Sequence, residues 1–130
     1  MKPFIAALFT AILTTLALPV AAHHSLAATY RLEQAQVLRG TVLQVSFRDP
    51  HTYVHLEAMD DSGVLRRWSL EWRDTAALAG TGVTRFTLRP GDHIEVVGHP
   101  SRSGDAHQML IISLARPADG WQWGRADELD

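Results

Sequence analysis

The chain has no cysteine and a single lysine, Lys2, among its 130 residues. Without cysteine there is no disulfide, no thiolate metal site and no thiol nucleophile. The fold must therefore be held by its core. The loss of lysine leaves 11 arginines against 14 acidic residues beyond position 22, a balance of −3 with histidines neutral. A weakly acidic domain lacks the basic footprint of a nucleic-acid binder, whose affinity comes from neutralising phosphates. No apolar run reaches the roughly 20 residues needed to span a bilayer as a helix. Neither G-x-S-x-G nor H-E-x-x-H occurs, and no serine sits in a neighbourhood that marks it as activated. No catalytic residue is assigned. Internal repeats and low-complexity tracts are also missing.

What is present begins with an export leader. Lys2 precedes the uncharged, mostly apolar stretch "FIAALFTAILTTLAL" (4–18), and Pro19 and Val20-Ala21-Ala22 follow. A basic start, a short apolar run and small residues at the cut mark a secretory signal peptide. Cleavage after Ala22 places small residues at both recognition positions, whereas a cut one residue earlier would place Pro19 in one of them. The expectation is a signal peptide over 1–22, a periplasmic or secreted protein with no membrane span after cleavage, and a mature chain starting at His23. The remaining 108 residues suffice for one compact domain.

A lead over 23–36 carries no strong pattern. From Val37 the chain reads as strands. "VLRGTVLQVSF" (37–47) is rich in β-branched residues, and its lone Gly40 suggests a bulge or bend. "RDPH" (48–51) breaks the run. "TYVHLEAM" (52–59) alternates, with Val54 and Leu56 on one face and His51, Tyr53, His55 and Glu57 on the other. "DDSG" (60–63) reads as a hairpin turn into "VLRRWSLEW" (64–72). There Trp68, Leu70 and Trp72 share a face opposite Arg67, Ser69 and Glu71. Asp74 can cap a short helix over 75–80. "LRPGD" (88–92) is a turn centred on Pro90 and Gly91. "HIEVVGH" (93–99) and "HQMLIISLA" (107–115) complete five strands, and residues 117–130 form a tail with Trp121 and Trp123. Three strands, one short helix and two strands predict an all-β fold, a small antiparallel OB-like barrel over 37–116. An open β-sandwich is the competing architecture.

With these segments in order, the chain resembles a family of small exported bacterial proteins known only as a domain of unknown function. The resemblance rests on "AHHS" (22–25), "GTV" (40–42), Pro50-His51, "WSLE" (68–71), "LRPGD" (88–92) and "VVG" (96–98). It departs from the family at Asp49, where asparagine is usual, and at Val83, where tryptophan is expected. The resemblance implies a periplasmic β domain and no particular activity.

All seven histidines follow the leader: His23, His24, His51, His55, His93, His99 and His107. Neutral imidazole suits copper and zinc. An N-terminal His23 would add its α-amine, and a third imidazole would complete a nitrogen set suited to Cu(II). His51 and His55 lie about 13 Å apart along an extended strand, at ~3.3 Å per residue, and do not share one ion. His51, placed by the Asp49-Pro50 turn, is the preferred third ligand. Asp49 is a further ligand or an orienting partner. The candidate metal set is therefore His23, His24, His51 and Asp49, for Cu or Zn. The competing reading is metal-free: a small periplasmic ligand or a protein partner docks on an aromatic face formed by Tyr53, His55, Trp68 and Glu71. In that reading Trp121 and Trp123 either cover the barrel or serve as a docking segment. His23-His24 as a flexible terminus, and His51 bonded to backbone at its turn, remain open as well.

Overall fold

The computed structural model describes residues 25–124. The expected leader and cleavage point, His23, His24 and residues 125–130 lie outside the described residues. A single-turn helix α1 (Leu26–Thr29) leads into β1 (Gln36–Ser46), β2 (Tyr53–Met59) and β3 (Leu65–Glu71). Helix α2 (Thr75–Gly80), β4 (His93–Pro100), β5 (Gln108–Arg116) and β6 (Trp121–Trp123) follow. A one-turn 3-10 helix, Gly104–Ala106, lies in the β4–β5 connection.

Pairings β1–β2, β2–β3, β1–β4 and β4–β5 are antiparallel. A short parallel pairing of Ser69–Glu71 with Gln108–Leu110 joins β3 to β5 and closes the ring. The protein is thus a closed five-strand barrel of OB type, and the sandwich alternative is set aside by that closure. The first half of β5 pairs with β3, and its last residues pair with β6. The end of the barrel segment and the start of the tail therefore share one sheet.

The strand alternation places the core as its period demands. Val54, Leu56 and Ala58 of β2 point inward, with Trp68 and Leu70 of β3. Gly40 is not the bulge that its isolation suggests. The register slips between Val42 and Gln44, opposite Leu56 and His55, so Leu43 is the extra residue. Gly40 answers a different demand: a Cβ there would lie 2.5 Å from the Glu57 carbonyl oxygen and 2.8 Å from the Ala58 Cβ. Gly98, beside a second slip between β4 and β5, is equally confined, with Met109 Cγ 2.4 Å from a notional Cβ. Both glycines allow backbones to approach where the barrel curves.

Helix α2 stops one end of the barrel. Asp74 caps it, accepting from Ala77 N–H at 2.8 Å, and Leu78 is the helix's buried residue. Trp72 and Trp123 meet edge to face beneath it, 4.9 Å between centroids. Trp123 donates its indole N–H to Thr81 Oγ1 at 2.9 Å. Asp92 N–H closes the Arg89–Asp92 turn onto the Arg89 carbonyl, with Pro90 and Gly91 central as expected. The Asp60–Gly63 turn likewise joins β2 to β3.

Candidate functional site

The lead segment does not trail away from the barrel. Tyr30 forms an isolated antiparallel bridge with Ser101, and Arg31 N–H donates to the Pro100 carbonyl at 2.9 Å. Arg102 ties down α1 through its Nε–H, which donates to the Ala27 carbonyl at 2.7 Å. His99 Nδ1 meets the Gln34 carbonyl at 2.6 Å. Residues 25–34 thus form a strap across the outside of the barrel.

The strap carries Tyr30 onto the end of β3. Tyr30 is 3% exposed yet lies apart from the main apolar cluster. Its hydroxyl donates to Glu71 Oε2. Glu71 belongs to the outward parity of β3, opposite Tyr53 across the β2–β3 ladder, and is nevertheless 8% exposed. An outward carboxylate becomes buried because the strap lies over it. Its other oxygen, Oε1, is 3.2 Å from Nδ1 of His51, whose side chain remains 45% exposed. A buried carboxylate is costly unless its oxygens find partners. Here one oxygen meets a phenol and the other an imidazole.

Burial, followed by the hydrogen bond to Glu71 and that residue's charge, pushes the Tyr30 phenol far above its ordinary range. Tyr30 therefore stays a neutral donor at any physiological pH. Tyr53 is raised as well, by burial first and by the Glu71 charge second, with Arg48 opposing. The contact sets the Nδ1 edge of the His51 ring against the carboxylate, with Nε2 on the opposite edge of the ring. This is the outer-partner pattern that orients histidine ligands.

The other sequence-derived candidates are distributed as follows. Asp49 Oδ1 accepts from both the N–H and the hydroxyl of Thr75, at 2.9 and 2.8 Å. The Thr75 N–H, then its hydroxyl, holds the Asp49 carboxyl below its usual range. Asp49 therefore joins the β1–β2 loop to the start of α2. Thr52, next to His51, is fully buried, exchanging backbone bonds with Arg73 and Trp72. Tyr53 and His55 stack on the outer face of β2, 6.5 Å apart with planes 15° from parallel. Trp68 and Trp72 are both in the core, so the aromatic face retains Tyr53 and His55 at its surface. No group of three or more His, Asp or Glu side chains stands ready for an ion among the described residues. No helix among them is long and apolar enough to cross a membrane. Tyr30 is the functional neighbour that pattern reading missed. Its only sequence signal is an isolated aromatic residue in a polar lead.

A closed five-strand barrel with a strap buried against its outer face by a tyrosine, a carboxylate and a histidine is a small β-barrel domain of OB type. The chain belongs to the family of unknown function DUF6152, whose model matches residues 11–110. No curated protein and no solved structure matches the chain.

Proposed function

We propose that this protein is an exported, periplasmic binding module that holds a Cu(II) or Zn(II) ion through His51 and the histidines ahead of the strap. One observation carries the reading: Glu71 accepts from Tyr30 of the strap while its other oxygen lies 3.2 Å from Nδ1 of His51 in the β1–β2 loop. The carboxylate orients His51 and anchors the chain that brings His23 and His24. Five residues separate His24 from Tyr30, four of them in α1. At about 1.5 Å per helical step and ~3.5 Å per extended one, the six chain steps from Tyr30 back to position 24 reach roughly 13 Å at most. A chain cut after Ala22 adds the His23 α-amine, with an ordinary pKa of about 7.7–8.0, as a nitrogen donor. Asp49, engaged by Thr75, serves to set the loop that carries His51.

The test uses protein exported and processed by a bacterial host, with its intact mass fixing the N-terminus. Titration with Cu(II) and Zn(II) is expected to show one tight ion. His51→Ala should abolish tight binding, and Glu71→Gln should weaken it by about 10–100-fold, as loss of an orienting partner does. Tight binding that survives His51→Ala would exclude this site. The metal-free alternative rests on the Tyr53–His55 stack. It gains if no ion binds and Tyr53→Ala removes capture of a small ligand.

A further inference from the structure

A second feature lies on the other side of the strap. A half-open cleft of about 250 Å³ is lined by Arg31 and Gln34 of the strap, Gln36 at the start of β1, Trp68, and residues of the connection between Pro100 and Gln108. At roughly 30 Å³ per water it has room for about eight waters, the size of one small organic ring. We infer that this cleft binds a small neutral polyol, a single sugar ring being the class that fits.

Three primary amides, Gln34, Gln36 and Gln108, and the hydroxyls of Ser101 and Ser103 supply the walls. An amide offers donors and acceptors side by side, and so does a hydroxyl. Ring hydroxyls of a sugar require that mixture, whereas an ion requires an excess of one type. The cleft is charge-balanced, since Arg31 faces it together with Asp61. Its aromatic element is Trp68, against which the His107 ring packs edge-on, 5.2 Å between centroids and 88° between planes.

The walls are fixed before any ligand arrives. The bond from His99 to the Gln34 carbonyl holds the strap side. Opposite it, Ser69 N–H donates to the His107 carbonyl at 3.0 Å, and Ser101 N–H donates to the Gln108 carbonyl at 3.0 Å. His107 has φ 45°, and it is the sole non-glycine residue with positive φ among the described residues. A histidine in the left-handed region is uncommon, and such strained residues cluster at ligand clamps. The His107 ring packs against Trp68 and lines the cleft. None of these residues belongs to the Tyr30–Glu71–His51 group, so this inference and the metal reading stand or fall separately.

The experiment is an amide and indole NMR titration of the processed protein with methyl glucoside, with N-acetylglucosamine and, as the anionic probe, with acetate. The expected result is a saturable millimolar shift of the Trp68 indole and the Gln34, Gln36 and Gln108 side-chain amides with a sugar, and none with acetate. Gln108→Ala should weaken binding about fivefold, the size of one lost hydrogen bond. His107→Gly keeps the left-handed backbone without strain, so the protein should retain its folded spectrum while losing affinity. Shifts that fail to saturate with either sugar, or that are unchanged in both variants, would overturn the proposal. A response to acetate that disappears in Arg31→Ala would make the cleft an anion site and overturn it equally.

Discussion

The two sides of this barrel are built from opposite materials. At the α2 end, Leu78, Trp72 and Trp123 close the core with apolar surface, and the Arg73 guanidinium lies 5.6 Å from the Trp123 ring centroid. On the strap side, burial is bought with polar groups: a phenol, a carboxylate and an imidazole in series. The first arrangement tolerates small shifts, because apolar contact is non-directional. The second depends on partners being present, because an unpaired buried carboxylate is unfavourable. A fold that needs only stability has no reason to bury a carboxylate beneath its own N-terminal strap. The contrast separates the apolar plug from the side where the proposed site lies.

The largest effect should come from breaking the plug. Leu78 is fully buried, and Leu78→Ala should cost about 2–5 kcal/mol in denaturant melts. Metal and sugar titrations of the remaining folded protein should be unchanged. A loss below ~1 kcal/mol would mean that α2 is not what closes the barrel.

Tyr30→Phe sharpens the comparison from the other side. It removes the donor to Glu71 and should cost about 1–3 kcal/mol, the penalty for a buried acceptor left short of a partner. The distribution matters more than the total. Hydrogen exchange should accelerate over the strap, residues 25–34, while the β1–β4 and β4–β5 amides keep their protection. Uniform acceleration would show that the strap is an integral part of the barrel.

The smallest effect is expected at the β2–β3 hairpin, where Asp60 Oδ2 lies 4.0 Å from His107 Nε2. Asp60 accepts from Val64 N–H, from Arg66 Nε–H and from Ser62 N–H, and those bonds, the Val64 one first, lower its pKa. A carboxylate with a depressed folded pKa stabilises the fold above its unfolded value, about 3.9. That contribution is lost as pH falls through the folded value. Asp60→Asn should therefore lower stability slightly at neutral pH and flatten the acid limb of the stability curve below about pH 4. An unchanged acid limb would remove Asp60 from the account.

Much of the scaffold is legible in the sequence. The alternation in 52–59 and 64–72 sets the inward faces of β2 and β3, Asp74 marks the cap of α2, and Arg89–Asp92 marks a turn. Gly40 was legible only as unusual: its cause is the Glu57 carbonyl of the neighbouring strand, not a bulge of its own. At the candidate site, His51 and Glu71 were separately visible as polar residues near a strand end. Nothing local joined them, and Tyr30 had no pattern at all. Short-range rules also gave no hint of β6 or of the parallel β3–β5 closure.

The division follows from the range of the forces. Strand parity, caps and turns depend on residues a few positions apart, so the order of residues determines them directly. The buried carboxylate depends on Tyr30 and Glu71, 41 positions apart, meeting on a surface that exists only once five strands have closed. The sequence alone determined which residues face the core and where the chain turns. The tertiary structure decided that an outward glutamate would be covered, and by which tyrosine, because burial is a property of the assembled surface and not of the strand that carries the side chain.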